Sequence, residues 1–237
     1  GGEPTMSDSV WGLFDWFKEN KETHPNAKKM RYAINSNLGA KPKLIEKLAE
    51  ATQHVERFHL YTSGEAFGAQ GEYIRDGLDF SQFSQNCVKL LRDGKIEGFH
   101  MMMTINALCL DSMVEFLDWV LQLKREFGHN KPSFSVNILR FPSFQSPLVL
   151  PDDLRNLFKQ NLEKFLSNNS KYLEHMEINH TQRLIDYLDV VKTPHAGAAT
   201  QEKLQKDFKI FYSQYDKRRG KDFVKTFPII GEWYGQL

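Results

Sequence analysis

Hydrophobic positions along the chain follow two spacings. Alternating or continuous apolar runs predict strands, and apolar positions three and four residues apart predict helices. The predicted strands are 30–34, 55–61, 98–105 and 134–139. The predicted helices of the same region are 7–20, 42–52, 80–91 and 111–127. Because the two kinds of element alternate, we expect an α/β fold with parallel strands joined by right-handed crossovers.

The apolar run 98–105 is the most continuous of the predicted strands. In a parallel sheet such a run is typical of a strand that is buried on both faces. We therefore expect 98–105 to form a strand that is buried on both faces.

The pattern changes near residues 145–151, after which only helices are predicted. Their predicted ranges are 152–166, 171–191 and 201–215, with a break at 193–197. We expect two domains, an α/β part over 1–148 and a C-terminal helical extension over 149–237.

Composition excludes several classes of protein. The chain has 237 residues and a net charge of +1, which argues against a strongly basic nucleic-acid or membrane-surface protein. Two cysteines are too few for a disulfide scaffold, and no apolar run reaches the roughly 18 residues of a membrane span. We expect a cytoplasmic protein that contacts neither nucleic acid nor membrane.

Polar residues and glycines follow the predicted strands. Asn35, Ser36 and Asn37 follow the first, and Thr62 and Ser63 end the second. Such residues converge where a parallel sheet places its ligand. The guanidinium of Arg75 would suit a carboxylate. The pattern favours a small polar ligand at this edge, although ordinary turns explain it as well.

The eight histidines show no spacing that is typical of metal binding. Isolated histidines such as His59 and His100 are usually surface residues or hydrogen-bonded core residues. We therefore assign them no role from the sequence.

The order of several motifs resembles the radical S-adenosylmethionine (radical SAM) superfamily, in particular enzymes with a twitch-type or SPASM-type C-terminal region. Gly1-Gly2-Glu3-Pro4-Thr5 is similar to its Gly-Gly-Glu-Pro motif, the most specific of the set. The other segments that resemble family motifs are 35–39, 60–64, 73–77, 99–106 and 134–142, and in the tail 215–223 with Phe227-Pro228.

The resemblance implies a set of contacts with S-adenosylmethionine (SAM). Residues of the first motif would bind its amino group, and later ones its ribose, carboxylate and adenosine. The implied cofactor-binding residues are Gly1, Gly2, Glu3, Ser36, Asn37, Thr62, Ser63, Arg75, Asn106 and Leu139. No catalytic or metal-binding residue is implied.

The family's cysteine motif, which binds a 4Fe-4S cluster, precedes Gly-Gly-Glu-Pro and is absent from this sequence. Cys87 and Cys109 do not replace it, so the cluster ligands would lie in the intact protein only. The resemblance then implies a fragment: a partial (β/α)6 barrel with parallel strands three to six and a helical extension. We expect it to be inactive alone.

Two other functions stay open. One is a non-catalytic α/β module that binds a partner, and the other is an α/β-barrel enzyme that acts on a small anionic substrate. The substrate of the radical SAM enzyme is not identified, a peptide being one option. We also expect self-association through the exposed edge strand 30–34.

Overall fold

The computed structural model describes residues 2–128, 131–190 and 199–237. Its strands are β1 (Arg31–Asn35), β2 (Arg57–Ser63), β3 (Gly98–Ile105) and β4 (Ser133–Ile138). They form one four-stranded, all-parallel sheet in the order β1-β2-β3-β4. The predicted α/β class is confirmed, because every predicted strand overlaps an observed one.

Every predicted helix is present, and the described residues contain three further α-helices that were not predicted. The predicted ones are α1 (Asp8–Asn20), α2 (Pro42–Thr52), α4 (Phe80–Asp93), α5 (Met113–Phe127), α6 (Asp152–Asn169), α7 (His175–Leu188) and α8 (Gln201–Arg219). The glycine-rich segment contains an unpredicted helix, α3 (Gly68–Ile74). Two short helices end the chain, α9 (Phe223–Thr226) and α10 (Ile230–Gln236). The predicted break at 193–197 lies outside the described residues.

Side chains alternate between a buried and a more open face along the strands. In β2, Phe58, Leu60 and Thr62 are buried, whereas the intervening side chains are partly exposed. The expectation that 98–105 is buried on both faces is wrong. Its buried side chains on one face are Phe99, Met101, Met103 and Ile105, while His100 and Met102 are partly exposed and Thr104 is exposed. The sheet therefore keeps one polar face that helices do not fully cover.

The chain divides into two compact units. Unit 1 comprises residues 1–64, 78–102 and 119–135. In its core, α1 packs on the apolar face of the strands. The Phe14 ring lies 4.9 Å from that of Tyr32 and 5.5 Å from that of Phe58. The open face of unit 1 carries Arg31 of β1, His59 and Tyr61 of β2 and His100 of β3.

Unit 2 comprises residues 65–77, 103–118 and 136–237. Beyond residue 150 its described residues contain helices and no strand. Its core contains an aromatic cluster formed by Tyr73, Phe208, Tyr212, Phe223, Phe227 and Tyr234. The expected domain boundary near residue 148 stays a prediction.

Within the described part of the chain, none of the helices combines the length and apolar character that crossing a membrane would require.

Candidate functional site

The carboxyl end of β1 is connected to the start of the chain through the carboxylate of Glu3. Its Oε1 accepts a hydrogen bond from the Ser36 hydroxyl at 2.6 Å and one from the Thr5 hydroxyl at 2.9 Å. Its Oε2 accepts the Asn37 backbone N–H at 3.0 Å. Three of the predicted site residues, Glu3, Ser36 and Asn37, are thus brought together in unit 1. Since this carboxylate is engaged by protein donors, Glu3 positions the turn.

The turn 36–39 is fixed from its other side by a helix. Asn86 of α4 is buried, and its Nδ2 donates to the carbonyl oxygens of Leu38 at 2.7 Å and Ala40 at 2.9 Å. Leu38 has a φ of 52°, the left-handed conformation that non-glycine residues rarely adopt. A buried side chain and bonds on both sides hold this conformation. The backbone of the turn is therefore preorganised.

The glycines of the first motif differ in what the structure describes. Gly1 lies outside the described residues. Gly2 is exposed, and a Cβ built on it would meet no atom within 4 Å. Its backbone therefore has open space around it, next to Glu3.

Thr62 and Ser63, at the end of β2, belong to opposite faces of the sheet. Thr62 is fully buried, and its Oγ1 has no hydrogen-bond partner among the residues that the structure describes. Ser63 is partly exposed on the polar face. A ligand on that face would reach Ser63 and not Thr62.

Arg75, in unit 2, forms a bidentate ion pair with Glu65. Arg75 Nε donates to Oε2 at 2.7 Å and Nη2 donates to Oε1 at 2.5 Å. Although burial opposes the charged form, the hydrogen bond and charge of Glu65 raise the pKa of Arg75. Sequence reasoning missed Glu65; the signal was an acidic residue directly after Gly64. This pair uses two of the five guanidinium N–H groups.

Asn106 and Leu139 have local backbone roles in unit 2. The Asn106 Oδ1 accepts the N–H groups of Leu108 at 2.9 Å and Cys109 at 3.2 Å, which caps the short 3-10 helix Ala107–Asp111. The Leu139 N–H donates to the carbonyl of Ile105 at 2.9 Å. Asn106 directly follows β3 and Leu139 directly follows β4, and both residues are partly exposed.

A 4Fe-4S cluster does not fit the residues that the structure describes. Cys87 and Cys109 are unpaired and fully buried, and burial raises the pKa of both thiols, which opposes the thiolate that iron requires. Among the described residues there is no group of three or more side chains that could hold a metal ion.

A second polar cluster lies on the open face of unit 1, near the amino ends of the strands. His59 Nδ1 lies 3.0 Å from Arg31 Nη2 and 3.1 Å from His100 Nε2. His59 Nε2 lies 2.8 Å from a carboxylate oxygen of Glu97, and His100 Nδ1 lies 2.7 Å from the Ser133 hydroxyl. The two imidazoles therefore connect Arg31 of β1 with Ser133 of β4 in one hydrogen-bonded chain across four strands.

The hydrogen-bond partners of the two imidazoles define which ring nitrogens carry a proton. Because a guanidinium only donates, His59 Nδ1 must accept, and its proton lies on Nε2 toward Glu97. His100 then donates through Nε2 to His59. Burial, together with the charges of His59 and Arg31, lowers the pKa of His100. Sequence reasoning missed this pair, because the two histidines are 41 residues apart.

Unit 2 also contains an open cleft of about 380 Å³. The residues that line it are Leu110, Asp111, Val114, Glu115, Asp118, Asn161, Lys164, Phe165, Asn168 and Asn169. None of the predicted site residues that the structure describes lines this cleft.

Comparison with known proteins found no matching family model, no matching curated protein and no matching solved structure.

Proposed function

We propose that this protein binds SAM as part of a radical SAM enzyme, with the loops after β1 and β2 contributing to the binding site. The observation that carries the proposal is the Glu3 network. It brings the Gly-Gly-Glu-Pro segment beside the turn 36–39, and these are two segments whose order and residue types resemble that superfamily. Carboxyl ends of parallel strands are the usual ligand side of such sheets.

The chain's own residues would bind and orient the cofactor. Gly2 is exposed and offers its backbone groups beside a turn that is already fixed, so little ordering would accompany binding. Asn37 is also exposed, but its N–H is engaged by Glu3, which leaves its carbonyl oxygen for a ligand. The open space around Gly2 leaves room for a ligand. Glu3 would act indirectly, by holding this backbone in place.

In the resembling enzymes, SAM supplies a 5′-deoxyadenosyl radical after reduction by an iron–sulfur cluster. Because the described residues do not fit that cluster, we assign this chain no step of the radical chemistry. The unpaired cysteines agree with a reducing compartment, and we include a cytoplasmic location in the proposal.

The proposal is tested by titrating the isotope-labelled protein with SAM and following backbone amides by NMR. We expect shifts at residues 2, 3, 5 and 6 and at 36–39; Pro4 has no backbone N–H. Ser36→Ala should weaken binding about tenfold, because it removes a hydrogen bond to a charged carboxylate that fixes the turn. Ser9→Ala, on the exposed surface of α1, is the matched control and should bind normally.

Two results would contradict the proposal. One is the absence of any shift at SAM concentrations well above about 1 mM, since that excludes even a binding free energy of about 4 kcal/mol. The other is equal affinity of Ser36→Ala and the Ser9→Ala control.

The second candidate function is a module that binds a protein partner, and the open polar face of the sheet favours it. All-parallel sheets are normally covered on both faces. Here Arg31, Ala33 and Asn35 are exposed along an edge strand. A second copy of this chain is the partner that the edge strand itself suggests, because unpaired strand edges readily pair with one another.

A further inference from the structure

The polar cluster on the open face of unit 1 contains a guanidinium that pairs with no carboxylate among the described residues. Arg31 is exposed, and its Nη2 donates to His59 Nδ1 at 3.0 Å and to the Tyr61 hydroxyl oxygen at 2.6 Å. Within the described part of the chain, no residue accepts a hydrogen bond from Arg31 Nε or Nη1. Three of the five guanidinium N–H groups are therefore available to a ligand.

The carboxylate of the cluster, Glu97, is engaged by other donors. Its Oε2 lies 2.8 Å from His59 Nε2, and its two oxygens accept Arg57 Nε at 3.2 Å and 3.3 Å. The hydrogen bond from His59, together with the hydrogen bond and charge of Arg57, lowers the pKa of Glu97. Glu97 is thus ionised and balances Arg57, so the charge of Arg31 makes the cluster net positive.

The Tyr61 hydroxyl supplies a second kind of donor beside that guanidinium. Because its oxygen accepts from Arg31 Nη2, its own hydrogen points elsewhere, and none of the described residues accepts it. The Tyr61 ring stacks on the His100 imidazole with 4.7 Å between the ring centres, which holds the hydroxyl in place. Since Nη1 and Nη2 are bonded to one carbon, the available N–H groups of Arg31 lie next to this hydroxyl. The donors therefore converge on one place on the open face.

His100 adds a charge that depends on protonation. The polar and titratable groups around it come from the other strands and from the turn before β3: Arg31, Arg57, His59, Tyr61, Glu97 and Ser133. Burial, followed by the charges of His59 and Arg31, lowers the pKa of His100. An anion beside Arg31 would offset that positive charge, so the pKa of His100 would rise and the anion would favour its protonation.

We propose that Arg31 and Tyr61 form a binding site for a phosphate group, and that His100 takes up a proton when the phosphate binds. A phosphate group presents acceptor oxygens in several directions and can meet donors from both side chains, whereas a carboxylate presents two oxygens in one plane. The site lies within unit 1, near the amino ends of the strands, and uses none of the residues assigned to SAM. It does not depend on the proposed function.

The first test titrates the isotope-labelled protein with inorganic phosphate at constant ionic strength and follows its amide and imidazole signals by NMR. Arg31→Met should weaken binding about tenfold, because it removes a charged donor. Arg92→Met removes an equal charge from an exposed position of α4 and should bind normally. Tyr61→Phe should weaken binding about fivefold; it keeps the ring that stacks on His100, so the fold is preserved. Acetate should bind at least about fivefold more weakly than phosphate.

The second test measures the proton that accompanies the anion. Sulfate is the probe, because it has the shape of phosphate and does not itself titrate near neutral pH. We expect sulfate to bind about tenfold more tightly at about pH 5.5 than at about pH 8, since a protonated His100 attracts it. In His100→Gln this ratio should fall to about two or less, because glutamine does not titrate. His24→Gln, at an exposed position, should keep the ratio of the wild type.

Three results would overturn the phosphate site. They are the absence of saturable shifts at phosphate concentrations well above about 10 mM, equal affinity of Arg31→Met and Arg92→Met, and acetate binding as tight as that of phosphate. An identical pH dependence of sulfate binding in wild type and His100→Gln would overturn the role of His100.

A comparison of phosphate with glycerol phosphate identifies the source of the phosphate group. Binding of both within about threefold supports a site for phosphorylated ligands, and binding of free phosphate alone supports a site for the inorganic anion.

Discussion

Single residues decide how the two imidazoles of unit 1 come together. Gly98 lies opposite His59 in the parallel register of β2 and β3. A Cβ at this position would lie 2.4 Å from His59 Nδ1 and 2.5 Å from His100 Nε2. Such distances are sterically impossible, so the hydrogen bond between the imidazoles requires glycine here.

Gly98→Ala should therefore destabilise the protein, by roughly 1–3 kcal/mol for forced repacking of both rings. Gly12→Ala is the matched control: Gly12 lies within α1, and a Cβ there meets no atom within 4 Å. It should stabilise by roughly 0.5–1 kcal/mol, because alanine is the better helix former. Denaturant unfolding of both variants measures the contrast, and equal effects would contradict it.

The polar contacts of the candidate site were harder to predict than its turns. The sequence around Ser36 predicted a turn, and the turn is present. That Glu3 rather than a ligand engages the Ser36 hydroxyl could not be predicted, because it depends on a contact across 33 residues. The same holds for Arg75, whose acidic partner is set by how the segment 65–75, which contains α3, folds back.

At the scale of elements, apolar spacing located the strands but misjudged one of their faces. Phe99, Met101 and Met103 alternate with His100 and Met102 in facing the core. Because most residues of the run are apolar, the sequence nevertheless predicted a strand that is buried on both faces. A methionine is flexible enough for a partly exposed position, so its hydrophobicity does not establish burial. The alternation of His100 with its apolar neighbours was the available signal.

The helix α3 was missed for a physical reason. Its sequence contains Gly68 and Gly71, and glycine disfavours helices by about 1 kcal/mol relative to alanine. Tertiary contacts compensate: Gln70 donates to Asp111 at 2.8 Å and to the Thr226 carbonyl at 3.1 Å. Local propensity could not reveal partners that lie so far along the chain.

The edge strand β1 carries a prediction at this scale. Ala33 and Asn35 are exposed, and β1 pairs with a strand on one side, where β2 lies. We expect concentration-dependent self-association, seen by light scattering after size exclusion, because an unpaired strand edge can pair with a second copy. Ala33→Lys should suppress it, since an added charge disfavours edge pairing. Lys43→Ala, on the exposed start of α2, is the control. A clean monomer at all concentrations would argue against this interface.

For the whole molecule, the protonation state of His100, in the hydrogen-bonded chain that it forms with His59, links stability to pH. The pKa of His100 is lowered in the folded state by burial and by the charges of His59 and Arg31. The unfolded chain therefore binds a proton more readily, near the ordinary value of about 6.5. The stability contribution of neutral His100 is complete above that pH and is lost as the pH falls below it toward the lower folded value.

Protonation of His100 has a structural consequence that gives this pH dependence its mechanism. A charged His100 imidazolium would lie in the same hydrogen-bonded chain as the Arg31 guanidinium, and the two positive charges would repel each other. We expect the free energy of unfolding to decrease as the pH falls below about 6.5. His100→Gln should flatten this decrease, because glutamine does not titrate. His24→Gln, at an exposed position, is the control.

The pH dependence of stability that remains in His100→Gln is expected from His180, whose pKa burial also lowers. A pH dependence that is identical in wild type and His100→Gln would refute the assignment to the histidine chain.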